Sequence, residues 1–188
     1  ARAAMSLRAG AGESPRLLRL AQGRALTYSE YGAAEGFPVV ALHGTPGSRL
    51  KYRMAASDAA RLGLRLVSPD RWGYGGSGLH PAPSLAGYAA DVAALADGLG
   101  LDRFAVAAIS GGGPFAAAVA ARLGRRVAAL ALVSPVGPVA APGAGGDLDA
   151  FHRFSFRLLP RTPGALHLVF SALRGALAVS PEAALRLA

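Results

Sequence analysis

Phe104-Ala-Val-Ala-Ala-Ile109-Ser110-Gly-Gly-Gly-Pro-Phe115 decides how this chain is read. Six apolar residues make a strand-length run, and the sequence from Gly112 to Leu123 has the length of a helix. Between them stands one serine among very small residues. The whole stretch from Phe104 to Ala121 is uncharged, and its length alone would suit a membrane span. Ser110 to Pro114 divides it in the middle, so a buried strand turning into a buried helix is the better reading. A turn that sharp strains the serine backbone and brings strand and helix almost into contact. Only residues without bulk fit two positions either side, and here these are Ala108 and Gly112. The hydroxyl is then raised above the sheet, with helix N-terminal amides and the positive dipole end aimed at the same place.

The flanking sequence supplies matching elements. Residues 1–14 are rich in Gly, Ala and Ser and are expected to be disordered. Arg16 to Leu20 and Ala25 to Tyr31 flank Gln22-Gly23 and read as a hairpin. Phe37 to Leu42 is a buried strand ending in His43-Gly44-Thr45-Pro46-Gly47-Ser48, which continues as neither strand nor helix. Helix-like sequence runs to about Leu62, and Leu64 to Val67 is the next strand. After a glycine-rich loop, Ser84 is placed to cap a helix with Leu85, Tyr88, Ala89, Val92, Leu95, Ala96 and Leu99 at helical spacing, ended by Gly100. Val127 to Val133 is a further strand. Nearly continuous apolar strands alternating with helices predict a mostly parallel sheet covered on both faces. Residues 135–146 turn Pro-, Gly- and Ala-rich, and the pattern from Asp147 onward is helical. The expected organisation is a tail over 1–14, a core over 15–138, and a linker with a partial helical lid over 139–188.

Two more motifs stand at predicted strand ends, where open α/β sheets bind their ligands. With Ala108-Ile109-Ser110-Gly111-Gly112 they resemble the α/β-hydrolase fold superfamily, in its esterase or proline-iminopeptidase-like branch. The serine segment is similar to that family's nucleophile elbow, Gly-x-Ser-x-Gly, with Ala108 in place of the first glycine. His43-Gly44-Thr45-Pro46-Gly47 looks like the loop whose backbone supplies half of the oxyanion hole. Asp70-Arg71-Trp72-Gly73-Tyr74-Gly75-Gly76-Ser77 resembles the family's Asp-x-x-Gly-x-Gly-x-Ser loop. The resemblance implies Ser110 as nucleophile, the amides of Thr45 and Gly111 as oxyanion hole, and His43, Gly44, Asp70, Ala108 and Gly112 as supports. His43 precedes the serine, whereas the family's order is serine, acid, histidine, so its expected job is to brace the oxyanion loop. The acid and base are expected to be absent from this chain. It opens at Ala1 without Met, stops at Ala188 in a helix-like pattern, and by this reading lacks the last strands. His152 and His167 fall in lid-like helices, and Asp147 and Asp149 read as the start of one. Residues 1–188 alone are expected to have little turnover, since losing the base of such a triad costs on the order of a millionfold in subtilisin.

Composition removes several other classes. Cysteine is absent, and His43, His80, His152 and His167 are scattered, so no metal site and no cofactor are expected. The lack of cysteine fits a reducing compartment, and a cytoplasmic location is expected. Lys and Arg number 20 against 11 Asp and Glu, yet Lys51 is the only lysine and the arginines are dispersed. Nucleic-acid binders concentrate charge on one face, so neither nucleic acid nor membrane is an expected partner. Gly73-Tyr-Gly75-Gly-Ser-Gly78 spells Gly-x-Gly-x-x-Gly, but His80-Pro81-Ala82-Pro83 forbids the helix a dinucleotide site requires. The leading expectation is a serine hydrolase taking a small or medium apolar acyl substrate, with Phe151, Phe154, Phe156, Leu166, Val169 and Phe170 of the lid as candidates to meet it. The competing readings are a non-catalytic ligand-binding member of the fold and another reaction on it, such as a cofactor-independent peroxidase or a lyase.

Overall fold

The computed structural model describes residues 14–20, 23–138, 154 and 161–180. Residues 1–137 and 138–188 form two compact units. In the first, six strands form one sheet: β1 (Arg16–Arg19), β2 (Ala25–Gly32), β3 (Phe37–Leu42), β4 (Leu64–Pro69), β5 (Phe104–Ile109) and β6 (Val127–Val133), in the spatial order β1-β2-β4-β3-β5-β6. The hairpin strands β1 and β2 pair antiparallel, as do β2 and β4, while β4, β3, β5 and β6 run parallel. From β3 the chain goes first to one side, to β4, and then to the other, to β5. That reversal makes the carboxyl ends of β3 and β5 the topological switch point, the place where open α/β sheets receive ligands.

Strand alternation sorts the side chains onto two faces. Val40, Leu42, Val67, Phe104, Val106 and Ala108 pack with Tyr88, Val92 and Leu95 of α2 (Leu85–Gly98) and Ala116 and Val119 of α3 (Gly113–Leu123). Val39 and Leu66 face the other way, against Ala59 of α1 (Ala56–Arg61) and against Tyr52 and Ala55. Helices thus cover both faces, and Ser84 caps α2 by accepting from the Gly87 N–H. The expected helix up to Leu62 is in fact a 3-10 turn over Arg49–Ala55 followed by α1. Its first residue is held from outside, because the Arg49 N–H donates to Asp70 Oδ1 at 2.6 Å. β4 runs two residues past the expected Val67, since Ser68 and Pro69 still pair with β2.

β6 departs from the expectation of a strand buried on both faces. Its residues are exposed from Ala128 onward, with Val133 at 56%. Apolar sequence alone does not separate a central strand from the last strand of a sheet. In the second unit, α4 (Pro163–Val179) is described and includes the expected 166–177 helix, while Phe154 is exposed. Phe151, Phe156, Asp147, Asp149 and His152 lie outside the described residues, as do the side chains of Leu166, Val169 and Phe170. Among the described residues no helix is long and apolar enough to cross a membrane.

One buried ion pair ties α2 to the loops around it. Asp91 accepts two hydrogen bonds from Arg24, at 2.6 and 2.7 Å, and one from the Trp72 indole N–H at 2.7 Å. Removing one partner of such a pair leaves the other charge uncompensated. Asp91→Ala is expected to destabilise the fold by about 3 kcal/mol, read as a lower urea midpoint with unchanged slope. Isolated residues 1–188 are further expected to self-associate through the uncovered β6 edge. Leu132→Lys should shift sedimentation toward monomer, and unchanged association would remove β6 as the cause.

Candidate functional site

β5 ends at Ile109, and Ser110 follows with φ 52°, in the left-handed region that a non-glycine residue adopts only under constraint. A 3-10 turn over Ser110–Gly112 leads into α3, where the Gly113 N–H donates to the Ser110 carbonyl. The carbonyl also receives the Val136 N–H at 3.1 Å, so the segment after β6 lies against the turn. Gly112 is buried, and a Cβ on it would stand 2.7 Å from both the Leu42 and His43 carbonyl oxygens. No side chain is compatible with that approach, and Ala108 is likewise buried in the core.

Because Leu42 is in register with Ala108, the loops after β3 and β5 begin side by side. A Cβ on Gly44 would meet the Ser110 Cβ at 3.1 Å and its Oγ at 3.7 Å. A Cβ on Gly111 would meet Thr45 Oγ1 at 2.7 Å and Thr45 N at 3.4 Å. Ser110, Gly111, Gly44 and Thr45 are therefore brought together, while the Ser110 side chain stays half-buried rather than packed into the core.

The direction of the Thr45 amide is fixed from behind. Gly44 C=O and Thr45 N–H belong to one trans peptide and point in opposite directions within its plane. The Gly44 carbonyl lies 2.8 Å from His43 Nδ1 and accepts from an Arg71 guanidinium N–H at 2.8 Å. Two donors on the interior side turn the N–H of the same peptide outward. His43 is fully buried, and its Nε2 accepts the Arg71 backbone N–H at 3.0 Å. With Nε2 accepting, Nδ1 carries the proton and donates to Gly44, so only the neutral ring fits. Burial holds the His43 pKa below its ordinary value, and the nearby Arg71 charge adds to this against the opposing Gly44 hydrogen bond and Asp70 charge.

Arg71 is the residue that sequence reasoning missed. It is 5% exposed and also donates to Thr45 Oγ1 at 2.5 Å. Its guanidinium lies 4.8 Å from the Tyr74 ring centroid and 4.9 Å from that of Phe115. Burial lowers its pKa from the usual arginine value. Its position next to Asp70 in the glycine-rich loop was the only available signal. Asp70 itself is fully buried, accepting from Arg49 N, Arg49 Nη1 and Gly76 N at 2.6, 2.7 and 2.9 Å. Gly75, at φ 53°, leaves room for that carboxylate, since a Cβ there would fall 2.1 Å from it. The Gly73 to Gly78 loop is therefore built around Asp70, and no helix opens behind it until Leu85. His80 stacks on Trp72 and its Nδ1 accepts from Ala82 N, while His167 is exposed on α4 with Nε2 3.4 Å from Ser171 Oγ.

Comparison with known proteins follows the same lines. The family profile for the α/β-hydrolase fold matches residues 38–163. No curated protein sequence matches significantly. Among solved structures, a hydrolase from Pseudomonas aeruginosa superposes with a TM-score of 0.62 at 26% identity, over 71% of this chain and 50% of its own. A thermophilic esterase from Thermogutta terrifontis gives 0.58 at 26%, over 65% and 46%. A mutant epoxide hydrolase from Vigna radiata gives 0.55 at 27%, over 63% and 37%. The chain spans about half the length of the first of these or less of the others. Sheet order, helices on both faces and a profile match over most of the chain agree: this chain belongs to the α/β-hydrolase fold family.

Proposed function

We propose that this chain is the nucleophile-bearing part of a serine hydrolase acting on an ester or amide. The observation that carries the reading is Ser110 at φ 52° beside a loop whose Thr45 amide is turned outward by the pinned Gly44 carbonyl. In the proposed reaction, Ser110 Oγ bonds to the acyl carbon while the carbonyl π pair moves onto oxygen. The serine proton passes to an imidazole base. Collapse expels the alcohol or amine, which takes that proton, and water then hydrolyses the acyl-enzyme. The amides of Thr45 and Gly111 meet the negative oxygen, and such a donor is worth roughly 3–4 kcal/mol to the barrier.

Neither histidine of residues 14–138 is proposed as the base. His43 has both nitrogens engaged, and His80 is stacked on Trp72 with Nδ1 engaged. His43 serves instead as a brace for the oxyanion loop. The esterase-like chemistry is favoured over that of the epoxide-hydrolase relative on simple bond grounds. A serine attacking an epoxide carbon gives an ether, which has no carbonyl for water to attack, whereas an acyl ester has one. The lid and an apolar acyl substrate complete the proposal, supported by the helical pattern of α4.

In the full-length protein, Ser110→Ala is expected to lower kcat on the order of a millionfold, as loss of the serine does in subtilisin. A fluorophosphonate probe should label Ser110 and no other residue, read by peptide mass spectrometry. A full-length protein that binds acyl ligands but resists the probe would be a non-catalytic binding member of the fold.

The brace has its own signature. Because the folded pKa of His43 is lowered, its contribution to stability is present above the unfolded value of about 6.5 and is lost as pH falls through the folded value. Imidazole ¹⁵N spectra should show Nδ1 protonated and Nε2 bare at pH 7, with titration below pH 6.5. Ordinary titration near pH 6.5 would rule the brace out.

A further inference from the structure

We propose that the Thr45 hydroxyl is a third donor of the oxyanion hole, oriented for that task by Arg71. The inference rests on the serine-hydrolase reading and goes beyond its two backbone amides. A threonine hydroxyl has one proton to give and two lone pairs to accept with, whereas a guanidinium only donates. The 2.5 Å contact between Arg71 Nη2 and Thr45 Oγ1 therefore uses an oxygen lone pair. The hydroxyl proton cannot point at Arg71, and among the described residues no protein acceptor receives it.

Where that proton goes follows from the surroundings. Arg71 is buried and Thr45 is exposed, so the guanidinium holds the inner side of the oxygen and the other side is open at the strand ends, next to Ser110 and Gly111. Oγ1 lies 2.7 Å from where a Cβ of Gly111 would be, and Thr45 N lies 3.4 Å from the same point. The hydroxyl thus stands beside both proposed amides. The glycine at 111 gains a reason here: any side chain would displace the Thr45 oxygen. Sequence pattern alone offers none, since the elbow's steric demand falls on Ala108 and Gly112.

Arg71 adds electrostatics to orientation. Among the described residues its guanidinium forms no ion pair, it is held by the Gly44 carbonyl and two aromatic faces, and its Nε has no hydrogen-bond partner. An ionised donor on the hydroxyl oxygen polarises the O–H bond, strengthening it as a donor in turn. The negative charge that develops on the acyl oxygen then faces a proton backed by an uncompensated cation. Arg71 acts through Thr45 and is a positioning residue, and Thr45 is the one that touches the reacting oxygen.

The test uses the full-length protein and a nitrophenyl ester. Thr45→Val keeps the shape and the backbone amide but removes the hydroxyl. It is expected to lower kcat by about 100-fold with KM within about twofold, because the lost interaction exists only in the transition state. Affinity for a boronic acid, which mimics the tetrahedral oxyanion, should weaken in parallel, and Thr45→Ser should recover most of both losses. Thr45→Val also takes an acceptor from the buried Arg71 and should lower the thermal midpoint somewhat, whereas Thr45→Ser keeps that acceptor and should leave it in place. Wild-type kcat and boronate affinity in Thr45→Val, alongside an inactive Ser110→Ala, would overturn the third donor and leave the serine mechanism standing. Full activity in Ser110→Ala would overturn that mechanism and this inference with it.

Discussion

The contact on which the site depends is the approach of Gly112 to the carbonyls of Leu42 and His43. It requires β3 and β5 to be neighbours, paired so that Leu42 sits opposite Ala108. It requires the chain to turn within one residue of the strand end, which puts Ser110 at positive φ. Strain of that kind costs on the order of 1–3 kcal/mol and persists only where surrounding packing over-determines it. Here the packing is identifiable. Val106 and Ala108 are buried on one side of the turn, Ala116 and Val119 on the other, and the Val136 N–H closes on the Ser110 carbonyl.

Around that contact a polar scaffold sits where a core would ordinarily be apolar. His43, Asp70 and Arg71 are all buried, and their side chains do not pair with one another: His43 and Arg71 hold the loop after β3, and Asp70 holds Arg49 and the Gly76 N–H. Burying such groups is unfavourable unless they are hydrogen-bonded, so the arrangement demands a structural return. Asp70 fixes the glycine-rich loop and the start of the Arg49 turn. His43 and Arg71 fix one peptide plane. The loop after β3 has no regular secondary structure to hold it, and side chains supply the hydrogen bonds that a ladder would otherwise provide.

Much of this was legible in the sequence because glycine and strand signals are local. Ser110 among small residues, the β5 run, Ser84 at its cap and the three strand-end motifs all act within a few residues of one another. Arg71 was not legible, since its partners Gly44 and Thr45 lie 27 and 26 residues away and a buried arginine has the same letter as an exposed one. Asp91 likewise read as an acidic residue in a helical pattern, and only the fold brings it to Arg24 and Trp72. The exposure of β6 was hidden for a related reason. Burial depends on what lies beside a strand, and its own apolar sequence does not record that.

In the proposed reaction the two tasks of a serine hydrolase fall on different parts of the fold. By that proposal residues 14–138 receive negative charge, with donors turned outward by buried partners, a helix N-terminus, and the Arg71 cation, which forms no ion pair among the described residues. Of their two histidines, His43 has both ring nitrogens bonded and His80 lies against Trp72. Charge stabilisation needs donors that do not reorganise as the oxygen becomes negative, and that rigidity is what the pinned Gly44 carbonyl supplies. Proton transfer makes the opposite demand, since its base must change charge during turnover. His43 is fully buried with both nitrogens bonded and its protonated form disfavoured, which suits it to the first task for the same reason that it disqualifies it from the second.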